Sequence, residues 1–471
     1  MRFRAYVIVA AAVLVTAVLG AVSAGAGTAW VLTTDFSTFG RIRGFDTAAS
    51  WGVTGDLATI PGDAVGRWHD GRLYVVGRGS ANLLQVYDPA AGFQLIREFS
   101  LGAGFNLQDI AFDKQGEAYV SCYDQAVLLR VDIENETILQ TFSTAAFADA
   151  DGLPETGWIR ALGDRLYLTC QKLDRNNFYA PTGPGALLVF DMFTEQWVDM
   201  DETSGGVQPI VLTGPNPYTR IEVVTGGTGP RLRVGCAGFF GLSDGGLEEI
   251  DPVAGVSLGY LVTEATVGGD ILAFVTTGSA VHLLVSDGSF TTSLRRWKAQ
   301  TGQVAVLLTG NGYVYADLAW DGGVQLYLAD RTVNQAGLRV FDVPSGTELT
   351  SGVLATGLAP AMFVWPAGNG VSPVPLPAPA GLALSAPYPN PCNPAAEMLI
   401  RGPRGARVQV GVFDLRGRRV RSGPLVLDSG GKAVFRFDGR DQNGRHLAAG
   451  VYRVVVQGQG APAGRSLTLL K

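Results

Sequence analysis

The sequence predicts an all-β protein, a seven-bladed β-propeller followed by a small antiparallel β-sandwich. The first observation behind this is composition. There are 63 glycines in 471 residues and 17% charged residues, with Val, Leu and aromatic residues gathered in short runs. That is the profile of sheets joined by many tight turns. The second is the pattern of Asn106–Ser143, where apolar runs of strand length at Asp109–Phe112, Ala118–Cys122, Val127–Val131 and Ile138–Phe142 alternate with turn residues and show no helical period. The third is repetition. An apolar residue followed by Asp and a turn recurs as Phe45-Asp46, Tyr87-Asp88, Val131-Asp132, Phe190-Asp191, Ile250-Asp251 and Phe341-Asp342, with Trp297-Lys298 in the remaining place, at intervals of 42 to 60 residues. One meander cannot bury both its faces alone, so seven marks predict seven four-stranded units packed around an axis.

The chain opens with MRFRAYVIVAAAVLVTAVLGAVSAGAGTAW. Arg2 and Arg4 precede an apolar core, Ala5–Val22, and small-residue cleavage sites follow at Val22-Ser23-Ala24 and Ala24-Gly25-Ala26. Residues 1–26 therefore read as a signal peptide of an exported protein, although the apolar run is long enough to remain as an anchor. Three strand candidates come next, Ala29–Thr34, Phe39–Phe45 and Val53–Ile60, with no first strand before them. A matching orphan, Ala361–Trp365, ends the repeats. One strand from the end and three from the start complete the seventh unit of a propeller over 28–365 and remove two open edges.

Within each unit the Asp of the mark is placed to cap the following turn, and the Gly at 52, 92, 255, 302 or 346 to supply its positive φ. The second strands form their own column, LYVVG (73–77), AYVSC (118–122), LYLTC (166–170), LRVGC (232–236), LLVS (283–286) and LYLAD (326–330). Cys122, Cys170 and Cys236 end three of them. They read as small apolar packing residues, since facing sheets stand about 10 Å apart, too far for a relaxed disulfide. With these residues on the page, DIAFDKQGEAYVSCYDQAVLLRVD resembles the repeat of YVTN and NHL-type propellers. The resemblance implies a fold, and such propellers host binding, scaffolding and hydrolase or lyase activities alike.

Residues 366–386 hold a proline-rich linker, with five prolines between 373 and 387. Short alternating runs then follow at Met398–Arg401, Val408–Phe413, Lys432–Phe437 and Gly450–Val456, the sandwich of residues 387–471. Its YPNPCNP, VFDLRGRRV, FDGRDQNGRHLAAGVYRV and terminal LTLLK resemble the sorting domains of type IX secretion and, equally, the Ig-like domain of flagellar hook-capping proteins. Cys392 stands where Phe is usual and His446 where Pro is usual. The resemblance implies a partner in the outer-membrane secretion machinery and a protein secreted from, or held at the outer surface of, a Gram-negative-type bacterium.

Residues 385–471 carry 14 Lys and Arg against 5 Asp and Glu, whereas residues 25–384 carry 20 against 37. An acidic body of net −17 argues against a nucleic-acid partner. Three histidines in distant contexts make a poor zinc site. His69 is expected to be exposed and His282 to be a satisfied strand residue. Gly241–Gly245 matches G-x-S-x-G, but the next residues, GLEEIDPVAG, read as strand and turn rather than the helix that motif needs. No P-loop, dinucleotide fingerprint or CxxC occurs.

Four long insertions, 143–155, 172–185, 205–218 and 237–246, all fall among the loops of one propeller face. They bring Asp149, Asp151, Glu155, Asp174, Arg175, Asn177, Phe178, Tyr179, Tyr218, Phe239 and Phe240, a mixture suited to a binding surface, although insertions also drift freely on loops. First-strand residues add Asp109, Arg160, Arg220, Asp270 and Asp317 at the channel mouth, where opposite charges are expected to pair. No cofactor is expected beyond a Ca²⁺ ion that Asp149-Ala150-Asp151-Gly152 or the mouth carboxylates offer oxygens to hold. The leading reading is a non-enzymatic module binding an extracellular ligand, glycan or protein. The alternatives are a secreted lactonase-like or glycan-directed hydrolase or lyase using the channel carboxylates, and a passive spacer.

Overall fold

The computed structural model describes residues 27–226, 229–366, 381–459 and 461–470. The signal-peptide reading of 1–26 and most of the proline-rich linker lie outside the described residues. Among these residues, 28–364 form seven antiparallel sheets of four main strands, nearly all in simple up-and-down order. The first sheet is closed by its two ends. Thr28–Thr34, Phe39–Asp46 and Val53–Pro61 are joined by Ala359–Val364, with Trp30 opposite Val364 and Val31 opposite Phe363. The sheet of Leu107–Phe112, Ala118–Cys122, Val127–Asp132 and Thr137–Ser143 matches the sequence expectation to within two residues at each end.

The Asp marks act as the local chemistry requires. Asp88 accepts from the N–H groups of Ala90 and Ala91, Asp132 from Asn135, Asp251 from Val253 and Ala254, and Asp342 from Ser345. Gly92, Gly255, Gly302 and Gly346 then turn the chain with φ near +70°, whereas in the first unit Ser50 and Trp51, and not Gly52 as expected, take the positive φ. Second strands run through the middle of each sheet and are almost wholly buried. They carry a tyrosine column, two of whose hydroxyls reach the next sheet: Tyr167 donates to the carbonyl of Pro252, 3.2 Å, and Tyr327 to that of Thr47, 3.0 Å, while the Tyr119 hydroxyl is buried without a partner. Rings also bridge neighbouring sheets, as where Trp30 stacks on Trp68 at 4.9 Å and Phe142 meets Phe190 at 4.6 Å. Sheet-on-sheet burial of this kind, repeated around the set, is propeller-like packing. The four cysteines are free and buried.

Two expectations are corrected. His69 is not exposed but half-buried, stacked on the Phe112 ring at 4.1 Å. The insertion 205–218 does not lie wholly on one face. Its first part belongs to an excursion that interrupts the outer strand of the fourth sheet between Gln196–Trp197 and Ile210–Val211, held by Asp199 and Asp201 accepting from backbone N–H groups. Only the part after Val211 forms the connection to the fifth sheet.

The C-terminal sandwich packs the three-stranded sheet Ala383–Leu384, Ala396–Arg401, Lys432–Phe437 on a four-stranded one formed by Arg407–Asp414, Arg419–Val426, Gly450–Gln457 and Ala463–Leu469. Met398, Ile400, Val410, Val412, Phe437 and Val454 fill its core. The edge strand Arg419–Val426 was not legible in the sequence because its RVRSGPLV run does not alternate apolar with polar residues and none of it is fully buried. Arg401 and Arg465 fix the sandwich to the turns of the fourth sheet. Arg401 pairs with Asp164, itself bound by Lys114 at 3.1 Å, and lies over the Phe193 ring. Arg465 donates to the carbonyl of Thr194, 2.6 Å. These turns stand at the sheet ends opposite the long loops.

Candidate functional site

The first strands end around a mouth at which a cavity of about 720 Å³ opens, a size typical of small-molecule sites. Every sheet contributes to its lining, and its apolar walls are largely aromatic: Phe36, Tyr123, Trp158, Tyr179, Phe240 and Tyr313 are prominent. The indole N–H of Trp158 donates to the carbonyl of Tyr218, 2.7 Å, and Tyr218 meets Phe240 edge to face at 5.1 Å, so these rings are held in place.

Beside the mouth, the insertion 172–185 folds into a two-stranded ribbon, Leu173–Asp174 against Ala180–Pro181. Its turn is built by Asp174, whose carbonyl accepts from the N–H groups of Asn177 and Tyr179 and whose carboxylate accepts from Asn176. Phe178 and Tyr179 both sit at positive φ, a costly conformation for bulky residues, and Phe178 is 89% exposed. Beneath the ribbon, Glu155 is fully buried and accepts from the Leu173 N–H and from Nε of Arg175, 2.9 Å. Burial pushes its carboxyl up to about 7 against the opposing hydrogen bonds of Arg175 and Leu173. Arg175 continues to Asp124, 2.7 Å, and to the carbonyl of Tyr123. Asp149 accepts from Thr182, and Asp151 caps Leu153. The acidic and basic residues of these insertions thus hold the loops, and Phe178 and Tyr179 face outward.

The loop 237–246 is anchored likewise. Asp270 accepts from Gly241 N–H, 2.7 Å, Glu264 from Gly245 and Ile271, and Asp244 from Phe239. Phe240, at its tip, lines the cavity, while Phe239 is exposed beside it. Burial raises the Asp270 carboxyl and pushes Glu264 up to about 8. Ser243 of the G-x-S-x-G string lies in this loop, followed by the strand Gly246–Asp251.

Two of the three carboxylates expected at the mouth are committed to neighbours; the third, Asp270, accepts from Gly241 N–H through Oδ2 and leaves Oδ1 buried without a hydrogen-bond partner. Asp109, fully buried, takes the Arg67 guanidinium in a two-bonded fork at 2.7 and 2.6 Å and accepts from Ile110 N–H and, on the next sheet, Ile159 N–H. Asp317 pairs with Arg220 and accepts from Leu318 N–H and from Phe363 N–H on the closing strand. Glu222, which sequence reasoning missed, repeats the device by accepting from Thr276 N–H on the sixth sheet. Carboxylates on the first strands of the third, fifth and seventh sheets thus strap each of these to its successor. Arg160 lies in the channel with its Nε unpartnered, and burial and the Arg67 charge lower its pKa.

Of the expected site residues, Tyr179, Tyr218, Arg220, Phe240 and Asp317 line the cavity; Phe178 stands exposed on the ribbon above it. Phe36, Tyr313 and Arg331 were missed, because they come from short turns that loop length does not single out. His282, expected to be satisfied, is half so: Nδ1 meets the Thr277 hydroxyl at 3.1 Å and Nε2 has no partner. Among the described residues, no three His, Cys, Asp or Glu side chains cluster as metal ligands, and no helix is long and apolar enough to cross a membrane.

The family model described as the FlgD Ig-like domain matches residues 398–461, so an Ig-like domain of that kind stands at the C-terminus. No curated protein matches the chain. Solved structures similar to it include the periplasmic gluconolactonase PpgL of Pseudomonas aeruginosa, with 14% identity over 72% of this chain and 98% of that one and a TM-score of 0.49. PorZ, a surface component of the type IX secretion system of Porphyromonas gingivalis, is 14% identical over 92% of this chain, with a TM-score of 0.38, and the match spans 64% of PorZ. A functionally unknown protein of Desulfotomaculum acetoxidans is 13% identical over 72% of this chain and 98% of that one, with a TM-score of 0.47. At such likeness none of them speaks to what this chain binds.

Proposed function

We propose that the protein is an exported binding module: a closed ring of seven blades that presents the loop face around the mouth cavity to an extracellular ligand. The observation that carries this reading is the cavity of about 720 Å³ ringed by aromatic side chains, with Phe178 and Tyr179 raised beside it on a ribbon at strained φ. Strain of that kind persists where the surrounding structure holds it, here through Glu155 and Arg175. An enzymatic reading needs a carboxylate free to act; Asp109 and Asp317 each already hold a guanidinium and two backbone N–H groups, and Asp270, with Oδ1 unpartnered, is the one expected mouth carboxylate left to such a reading.

The C-terminal domain is read as the delivery or anchoring unit, sorted by type IX secretion. Supporting this, the two ends of its signature are stitched together. The backbone of Cys392 in YPNPCNP donates to the Thr468 carbonyl and accepts from Leu470 N–H, both 2.8 Å, while Asn390 accepts from Thr468 N–H. One patch thereby presents both motifs, on the unit that Arg401 and Arg465 fix away from the mouth. The test is a glycan-array and whole-cell binding screen of the protein with and without Phe178, Tyr179 and Phe240 replaced by alanine. Binding that falls at least tenfold supports the reading; binding indifferent to all three changes overturns it.

A further inference from the structure

Among the described residues, five charged side chains line the mouth cavity: Asp63, Arg78, Arg220, Asp317 and Arg331. Four of them cancel in pairs, Arg78 with Asp63 at 2.7 Å and Arg220 with Asp317. Arg331 is left over. Among these residues it makes no ion pair, and its Nε is buried without a hydrogen-bond partner. Its guanidinium sits 5.5 Å from the centre of the Tyr313 ring and 5.7 Å from that of Phe36. Ring faces stabilise the cation but accept none of its in-plane N–H bonds, so the fork is positioned and unused. A planar, two-oxygen anion satisfies such a fork.

The rest of the wall narrows the ligand's body. Tyr123, Trp158, Tyr179 and Phe240 line the wall, with Arg175 over one face of Tyr123 and Arg67 over one face of Trp158, and the amides of Gln108 and Gln171 turn their N–H groups to Asn106 and Asn216. Their carbonyls remain as acceptors for hydroxyl donors. Flat rings beside hydroxyl acceptors match a pyranose, which is apolar on its faces and hydroxylated at its rim. We propose that the mouth cavity takes a carboxylated sugar, a uronate residue of an oligosaccharide, with the carboxylate held by Arg331 and the sugar faces laid on the aromatic wall. This rests on the binding reading above and names its ligand class.

The experiment is calorimetric titration of the whole protein with trigalacturonate, with its fully methyl-esterified form, which is the same body without charge, and with an aspartate tetrapeptide. Arg331→Gln, Arg331→Lys and Phe240→Ala are titrated alongside, with melting curves as a check on folding. The expected result is that trigalacturonate binds at least tenfold more tightly than its ester. Arg331→Gln abolishes that difference, Arg331→Lys restores part of it, and Phe240→Ala weakens acid and ester together. If the ester binds as well as the acid and both depend on Phe240, the cavity is a binding site and the carboxylate inference falls. If the peptide binds better than the sugar through Arg331, the sugar assignment falls. If no probe binds, or binding ignores both Arg331 and Phe240, the proposal is overturned outright.

Discussion

Replacing Asp109 with alanine separates a strap from a chemical group. The carboxylate is wholly buried and serves four donors: two from Arg67 and the backbone N–H groups of Ile110 and Ile159. Its loss leaves two buried N–H groups without acceptors, at about 1–3 kcal/mol each, and strands a guanidinium whose side chain is 25% exposed. Partial exposure lets water take over some of Arg67, so the ion-pair share stays below the roughly 3–5 kcal/mol typical of a fully buried pair. A loss of about 4 kcal/mol is expected, enough to unfold a marginal ring. Urea unfolding followed by tryptophan fluorescence reads it, with Arg67→Ala and the double variant completing a cycle. Because Asp109 and Arg67 act as one unit, the double variant is expected to cost clearly less than the two single losses together. A change under about 1 kcal/mol, or strict additivity, refutes the strap and leaves Asp109 free for chemistry.

Two further outcomes rest on the same kinds of contact. Glu155 and Glu264 have folded-state carboxyls raised to about 7 and about 8 from 4.5, so the folded protein binds more protons than the unfolded chain between those values. Stability should therefore fall as pH rises from about 5 to about 8.5, by up to a few kcal/mol, since each tenfold difference in proton affinity between folded and unfolded chain is worth about 1.4 kcal/mol. Glu264→Gln should flatten the slope, and a stability that climbs over this range contradicts the assignment. Arg401→Ala with Arg465→Ala removes a cation–ring contact and an ion pair worth roughly 1–2 kcal/mol and should free the sandwich from the fourth sheet. Small-angle scattering checks this, and an unchanged radius of gyration counts against the dock.

The ring was legible because its signals are local. An Asp that caps a turn three residues on, or a Gly at positive φ, states its purpose within one repeat, and most of the repeats state it again. The mouth was legible only in part. Loop length pointed to Phe178, Tyr179 and Phe240, but Arg331 and Phe36 come from short turns and meet only because the seventh sheet packs beside the first. The acidic residues misled for a related reason. Arg67 lies 42 residues before Asp109, and Arg220 lies 97 before Asp317, so nothing near either carboxylate announces that it is already spoken for. Sequence shows which groups exist; the partner that consumes a group is set by the axis on which the first strands converge.

The pairing of Trp30 with Val364 also fixes an order of events in folding. Bringing together positions so far apart in the chain costs about 5 kcal/mol of chain entropy before any contact offsets it. The sheets between them are built from neighbours and can form as their own residues arrive. The segment that emerges first is therefore completed last, waiting with one side open until the final strand reaches it. Folding of the ring should be slow and governed by that single late step.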